Sequence, residues 1–78
     1  MKVTIYTSEH CPYCDAVKRY FDKKNIIYDI KNIDLDDFAR GELVKKLDGK
    51  FRGTPVIDIN NILIEGFDRA KIRKATKN

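Results

Sequence analysis

The stretch Lys2-Val3-Thr4-Ile5-Tyr6-Thr7-Ser8-Glu9-His10-Cys11-Pro12-Tyr13-Cys14 decides the fold. Lys2 to Tyr6 is rich in β-favouring residues and puts Val3 and Ile5 on one face, which predicts a strand. Thr7 to His10 is a short polar loop, and Pro12 suits the first turn of a helix, where its missing N–H costs nothing. A helix is therefore expected to start at Cys11. Tyr13, Ala16, Val17, Tyr20 and Phe21 keep helical spacing on its apolar side, Asp15, Lys18, Arg19 and Asp22 take the other side, and Lys23-Lys24-Asn25 closes it.

Working outward, Ile26 to Ile30 reads as a second strand, with Ile26, Tyr28 and Ile30 on one side and Ile27 on the other, suiting a strand covered on both faces. Strand, helix, strand is a βαβ unit, so the first two strands are expected to be parallel neighbours. Asp34 to Lys46 returns to helical periodicity through Leu35, Phe38, Ala39, Leu43 and Val44, extending to Leu47, with Asp34 as the expected N-cap. Asp48-Gly49-Lys50 ends that helix, and Phe51-Arg52-Gly53-Thr54-Pro55 leads into a third strand, Val56 to Ile59. Asn60-Asn61 tolerates positive φ, which predicts an antiparallel hairpin with Ile62 to Ile64. Gly66 breaks the fourth strand, and Asp68 is placed to cap a last helix, Arg69 to about Thr76, with Ala70, Ile72 and Ala75 inward. The order βαβαββα describes an α/β domain with a four-stranded mixed sheet and three helices. No repeat, linker or low-complexity segment divides residues 1–78, so one domain is expected.

A chain of 78 residues supports one hydrophobic core, and such a domain buries only roughly 60% of its unfolded surface. Its two cysteines, Cys11 and Cys14, would close too small a loop to be a major staple. No apolar run approaches the roughly 20 residues of a membrane span, and the opening residues are too mixed for a signal peptide, so a cytoplasmic protein away from membranes is expected. In a reducing compartment a close cysteine pair is more often catalytic, redox-sensing or metal-binding than structural. The net charge of +4, from 16 basic and 12 acidic residues, gathers at Arg69, Lys71, Arg73, Lys74 and Lys77. Cations there favour the negative end of a helix dipole and keep a small domain soluble. No aromatic-basic platform accompanies them, so nucleic acid is not an expected partner.

Thiol-disulfide exchange needs one thiolate to attack and a second thiol near enough to displace the mixed disulfide. Cys-x-x-Cys at a helix start supplies both, because the first sulfur lies over unpaired N–H groups at the positive dipole end and the second lies one turn inside. Cys11 is the expected attacking sulfur and Cys14 the resolving one. Competing readings are half of a zinc site, for which only His10 is an additional soft ligand nearby, an inert buried pair, and a metal or iron–sulfur centre shared between two chains. His10 itself reads either as a thiolate-stabilising group or as a bystander in the loop.

Cys11-Pro12-Tyr13-Cys14 directly after the first strand resembles the active site of dithiol glutaredoxins. Gly53-Thr54-Pro55-Val56 looks like the family's cis-proline loop, and Gly66-Phe67-Asp68 looks like the turn before its last helix, so the likeness spans essentially the whole chain. The resemblance implies a thioredoxin-like fold with Pro55 cis and opposite Cys11, and a monomeric thiol-disulfide oxidoreductase acting on disulfide-bearing proteins or glutathione mixed disulfides. It implies no tightly bound cofactor and no metal, with glutathione as co-substrate. Pro12, Tyr13, Thr54, Pro55, Gly66 and Phe67 would line the substrate groove, Arg52 would meet a carboxylate, and Asp68 would meet the charged glutamyl end. Arg52 also reads as a solvated loop charge, Asp68 as a helix cap and Phe67 as a packing residue. Three departures stand out: Ser8 holds the position usually occupied by Lys, Thr54 that of Val, and Glu65-Gly66 that of paired glycines. They resemble glutaredoxin-like electron donors of ribonucleotide reductase, which are recharged by thioredoxin reductase.

Overall fold

The structure, a computed structural model, describes residues 2–76; Met1, Lys77 and Asn78 lie outside the described residues, and with them the last lysine of the basic stretch. Its elements are β1 (Val3–Thr7), α1 (Pro12–Lys23), β2 (Asp29–Asn32), α2 (Asp37–Lys46), β3 (Val56–Ile59), β4 (Ile62–Glu65) and α3 (Arg69–Thr76), the order read from the sequence. The sheet runs β2-β1-β3-β4, with β1 parallel to β2 and antiparallel to β3, and β3 antiparallel to β4.

Register distributes the core. Ile5 lies opposite Ile30 and Ile57, while Tyr6 lies opposite Lys31 and Val56. Because strand side chains alternate, Val3, Ile5, Ile57, Ile59 and Ile64 pack with Val17 and Phe21 of α1 and Ile72 of α3. Tyr6 and Val56 pack on the opposite face with Ile33, Ala39 and Leu43, the last two from α2. Both β1 and β3 are buried on both faces. The double cover expected for the second strand is therefore corrected: β2 is an edge strand whose Asp29 and Ile30 are exposed.

That strand also starts later than the expected Ile26. Asn25 takes φ 56°, its N–H donates to the Asp22 carbonyl at 3.1 Å, and Ile26 N–H donates to the Phe21 carbonyl at 3.0 Å. This Schellman closure of α1 takes up the Ile26 backbone, while the Ile26 side chain packs on the Phe21 cluster. Ile27 is left exposed, and pairing begins at Asp29.

The second helix also starts later. Asp36, not Asp34, is its N-cap, the Oδ1 atom accepting from Phe38 and Ala39 N–H at 3.0 and 3.1 Å. Leu35 thus precedes the helix and Phe38, in its first turn, is 91% exposed, so neither joins the core. In α1 the buried stripe is Cys14, Val17 and Phe21, which leaves Tyr13 64% exposed. Ala70 is likewise exposed, while Ile72 is buried and Ala75 half-buried. The hairpin follows its prediction, with Asn60 and Asn61 at φ 50° and 72°.

A charged network crosses the α2 face. The Tyr6 hydroxyl donates to Glu42 Oε1 at 2.6 Å, Lys46 Nζ donates to the Tyr6 oxygen at 2.8 Å and to Asp58 Oδ2 at 2.6 Å, and Lys31 Nζ reaches both Glu42 oxygens at 3.1 Å. Hydrogen bonds from Tyr6 and Lys31, against some desolvation, bring the Glu42 carboxyl from 4.5 down to about 2. Burial opposes the Lys46 charge, but hydrogen bonds to Asp58, Tyr6 and Glu42 outweigh it and its pKa rises. Burial, followed by the bond to Glu42, pushes the Tyr6 hydroxyl up.

Two stability measurements follow from this packing. Phe21→Ala removes a fully buried ring and is expected to cost about 3–5 kcal/mol in urea unfolding, a large share of a small domain's stability. Glu42 has a depressed folded pKa, so its contribution is complete above 4.5 and disappears as pH falls towards about 2. Its side chain is 40% exposed, which screens the effect. Glu42→Gln should therefore cost about 1 kcal/mol at neutral pH, with the gap from the parent closing between those two values.

Candidate active site

The end of β1 is held from two sides. The Thr7 carbonyl accepts from Ile33 N–H at 2.9 Å, and the Glu9 backbone N–H donates to Asp34 Oδ2 at 2.8 Å. The aspartate expected to cap α2 thus fastens the loop that leads to the cysteines. From the other side the Ser8 and Thr54 hydroxyls share a 2.6 Å hydrogen bond. Two of the three positions that depart from the glutaredoxin pattern are therefore direct partners.

After this loop Cys11 occupies the N-cap of α1 with φ −136°, Pro12 follows in the first turn, and no side chain caps the helix. A sulfur stands where a capping oxygen is usual, and the first turn has no side-chain acceptor, the Cys14 N–H donating to the Cys11 carbonyl at 3.2 Å. Cys11 and Cys14 form a disulfide across a Cα separation of 5.3 Å. Cys11 is half-buried, whereas Cys14 is 3% exposed and belongs to the helix's inward stripe.

Thr54–Pro55 is a cis peptide, as the resemblance implies, and Pro55 is fully buried. The Pro55 carbonyl accepts from Gly66 N–H at 2.8 Å, which joins two of the predicted groove segments through their backbones. Gly66 has φ 80°, a conformation that favours glycine. The Phe67 ring meets Tyr20 edge-on at 6.0 Å and carries the Arg69 guanidinium at 5.5 Å. Asp68 Oδ1 accepts from Lys71 N–H at 3.1 Å, so its carboxylate caps α3.

Two depressions flank the site. One, of about 380 Å³, is lined by residues that include Ser8, His10, Asp34, Arg40, Phe51 and Thr54. Arg52 is exposed and is not in that lining; Arg40 of α2 supplies its cation. The sequence reading missed Arg40 because nothing local marks it, and only the packing of α2 against the loop reveals its place. The other depression, of about 280 Å³, is lined by Ala16, Arg19, Tyr20, Lys23, Phe67 and Arg69. Phe67 therefore faces α1, apart from Ser8 and Thr54. Among the described residues no group of three or more His, Cys, Asp or Glu side chains is placed to hold a metal ion, and no helix is long and apolar enough to cross a membrane.

A redox-active cysteine pair at a strand-to-helix junction, with a cis-proline loop tied to the same loop, defines a thioredoxin-fold oxidoreductase. The family model described as Glutaredoxin matches residues 3–64, and the chain belongs to that family. A glutaredoxin-like 8.6 kDa protein in the rubredoxin operon of Clostridium pasteurianum is 38% identical over 72 residues, covering 92% of this chain and 93% of that one. The glutaredoxin-like protein NrdH of Lactococcus lactis subsp. lactis is 32% identical over 73 residues, covering 92% and 96%. The solved structure of NrdH-redoxin from Escherichia coli, a glutaredoxin-like protein with a thioredoxin-like activity profile, matches with a TM-score of 0.83 at 27% identity, covering 100% of this chain and 99% of that one. The protein is a dithiol thiol-disulfide oxidoreductase.

A Cβ at Gly66 would meet no atom within 4 Å, so only the backbone conformation resists substitution there. Gly66→Ala is expected to cost about 1–2 kcal/mol, and thermal unfolding of the variant beside the parent checks it.

Proposed function

We propose that Cys11 is the attacking sulfur, that Cys14 resolves, and that the pair takes its electrons from thioredoxin reductase to reduce disulfides of cytoplasmic proteins. The observation that carries the assignment is the contrast between the two cysteines: Cys11 is only half-buried at the uncapped helix start and Cys14 is buried one turn inside. The Cys11 thiolate attacks one sulfur of a substrate disulfide, a mixed disulfide forms, and the other substrate sulfur leaves as a thiolate that takes up a proton. Cys14 then loses its proton and attacks the Cys11 sulfur. The second substrate thiol leaves, and the Cys11–Cys14 disulfide remains. Two electrons have passed to the substrate, and a donor dithiol returns them.

The choice of donor rests on what surrounds the cysteines. The position at which glutaredoxins usually carry a lysine holds Ser8, whose hydroxyl is engaged by Thr54. Asp68, the family's contact for the glutamyl end of glutathione, caps α3 through Oδ1, and the exposed Arg52 is not among the residues lining the Ser8–Thr54 depression. Similarity to NrdH proteins over nearly the whole chain supports the same reading. Ribonucleotide reductase is the substrate type that the resemblance implies. Thr54, Pro55 and Gly66 would hold an extended substrate strand by its backbone, with Pro12, Tyr13 and Phe67 bordering it.

A coupled assay run with thioredoxin reductase and again with glutathione and its reductase tests this. Rapid turnover is expected with the first, and at least about tenfold slower turnover with the second, the equivalent of 1.4 kcal/mol. Cys11→Ser should abolish activity in both, and Cys14→Ser should accumulate a mixed disulfide visible by mass. Turnover confined to the glutathione system would refute the donor, and full activity in Cys11→Ser would refute the assignment of the nucleophile.

A further inference from the structure

The groove between α1 and the start of α3 carries a charge pattern that its packing does not explain. Its floor is apolar, made of Ala16, Tyr20 and Phe67, and its rim carries Arg19, Lys23 and Arg69. All three rim residues are exposed, and none belongs to an ion pair among the described residues. Arg19 and Arg69 sit where the fold gains little from them, whereas Lys23, in the last turn of α1, suits the negative end of that helix's dipole. Arg19 and Lys23 are four residues apart on one helix, a spacing at which like charges repel. Arg69 opens α3 directly after Asp68, whose carboxylate caps the helix, so a cation stands at the positive end of the helix dipole. Its guanidinium is nevertheless held in place, 5.5 Å over the Phe67 ring.

We propose that this groove docks an acidic segment of the disulfide-bearing protein partner, adjacent to the cysteine that Cys11 attacks. The proposal rests on the dithiol mechanism above and adds a specificity surface to it. An extended chain lying on Ala16, Tyr20 and Phe67 would place carboxylates against Arg19, Lys23 and Arg69, cations that no ion pair among the described residues engages. The geometry sets the spacing. From Cys11 to Lys23 is about 18 Å of helix, which roughly five or six residues of extended chain span, so the acidic residues belong within about six positions of the substrate cysteine. Attraction of this kind raises association rate more than final affinity and fades with salt.

The test uses mixed disulfides of 2-thiopyridine with two cysteine peptides that differ only in carrying Glu or Gln three to six positions from the cysteine. The same mixed disulfide of 2-mercaptoethanol serves as the small control. Thiopyridone is released on turnover whichever sulfur is attacked. At an ionic strength of about 0.01 M the Glu peptide is expected to show a kcat/KM about tenfold above the Gln peptide, and the ratio should shrink near 0.15 M. In Arg19→Gln/Lys23→Gln protein the ratio should fall to near one while the control is unchanged. A ratio unaltered by the double substitution, or equal losses on both peptides, would overturn the proposal. So would tighter binding of single-stranded oligothymidine than of the Glu peptide. Failure of the parent on the small control would instead count against the dithiol mechanism. In that event, fluorescence anisotropy with a Glu peptide whose cysteine is replaced by serine still reads the groove, and binding indifferent to the double substitution would overturn it.

Discussion

Burial of β1 on both faces is the constraint from which the remainder follows. Thr4 to Thr7 pair with β2 on one side and Val3 to Tyr6 with β3 on the other, so the backbone groups gain partners in the sheet while Val3 and Ile5 face one helical layer and Tyr6 the other. Full burial of such side chains contributes roughly 1.5–3 kcal/mol each, and a register slip of one residue would turn every one to the wrong layer. The strand is thereby fixed along its length as well as in its plane. The loop that leaves it inherits this precision, and Asp34 on one side and Thr54 on the other finish the positioning of Cys11.

The two layers do not have the same chemistry. The α1 and α3 side is closed by aliphatic and aromatic residues, with Val17, Phe21 and Ile72 against the sheet. On the other side α2 buries only Ala39 and Leu43, and the space beyond them is crossed by Tyr6, Glu42, Lys46 and Asp58. Asp58 is 6% exposed, and a carboxylate there needs its partners, Lys46 Nζ and the Asn61 N–H at 2.8 Å. Among the described residues no buried side-chain polar atom lacks a partner. The polar layer therefore replaces hydrophobic cover that this short helix does not supply, and fixes α2, which in turn carries Arg40 to the edge of the active site.

Where local chemistry dictates the outcome, the sequence was a sufficient guide. Asn60-Asn61 could hardly be anything but a tight turn, and Cys11-Pro12 marked a helix start by the same backbone logic. It failed where two local solutions compete and tertiary contacts decide. Asp34 and Asp36 are both capable caps, and the choice falls to Asp36 because Asp34 is engaged by the Glu9 backbone 25 residues away in the chain. Ile26 has the composition of a strand residue, yet the closure of α1 claims its N–H first. Leu35 falls before the helix that Asp36 caps, and for Phe38 and Tyr13 periodicity gives a helix's apolar side without saying how far the partner layer extends over its first turn. In the site, the cysteines and the proline were legible as motifs. The Ser8–Thr54 bond was not, because its two halves lie 46 residues apart, and each alone is only an absent lysine or an absent valine.

The cysteine pair adds little to the fold and can cycle for that reason. A loop of four residues is worth at most about 2 kcal/mol in the chain-entropy view of disulfide stabilisation, and the Val3, Phe21 and Ile72 cluster does not include either sulfur. Reduction thus leaves the scaffold standing. The helix start carries a further cost, since a residue without a capping oxygen weakens an N-terminus by about 1 kcal/mol relative to Ser, Thr or Asp. In the mechanism proposed above that weakness and the reactivity have a single origin. With no side-chain oxygen accepting from the first turn, the positive end of the α1 dipole is left to stabilise negative charge, and the sulfur of Cys11 gains most from it in its anionic form. A serine at this position would strengthen the helix in every state, whereas a cysteine confines the gain to the state that attacks.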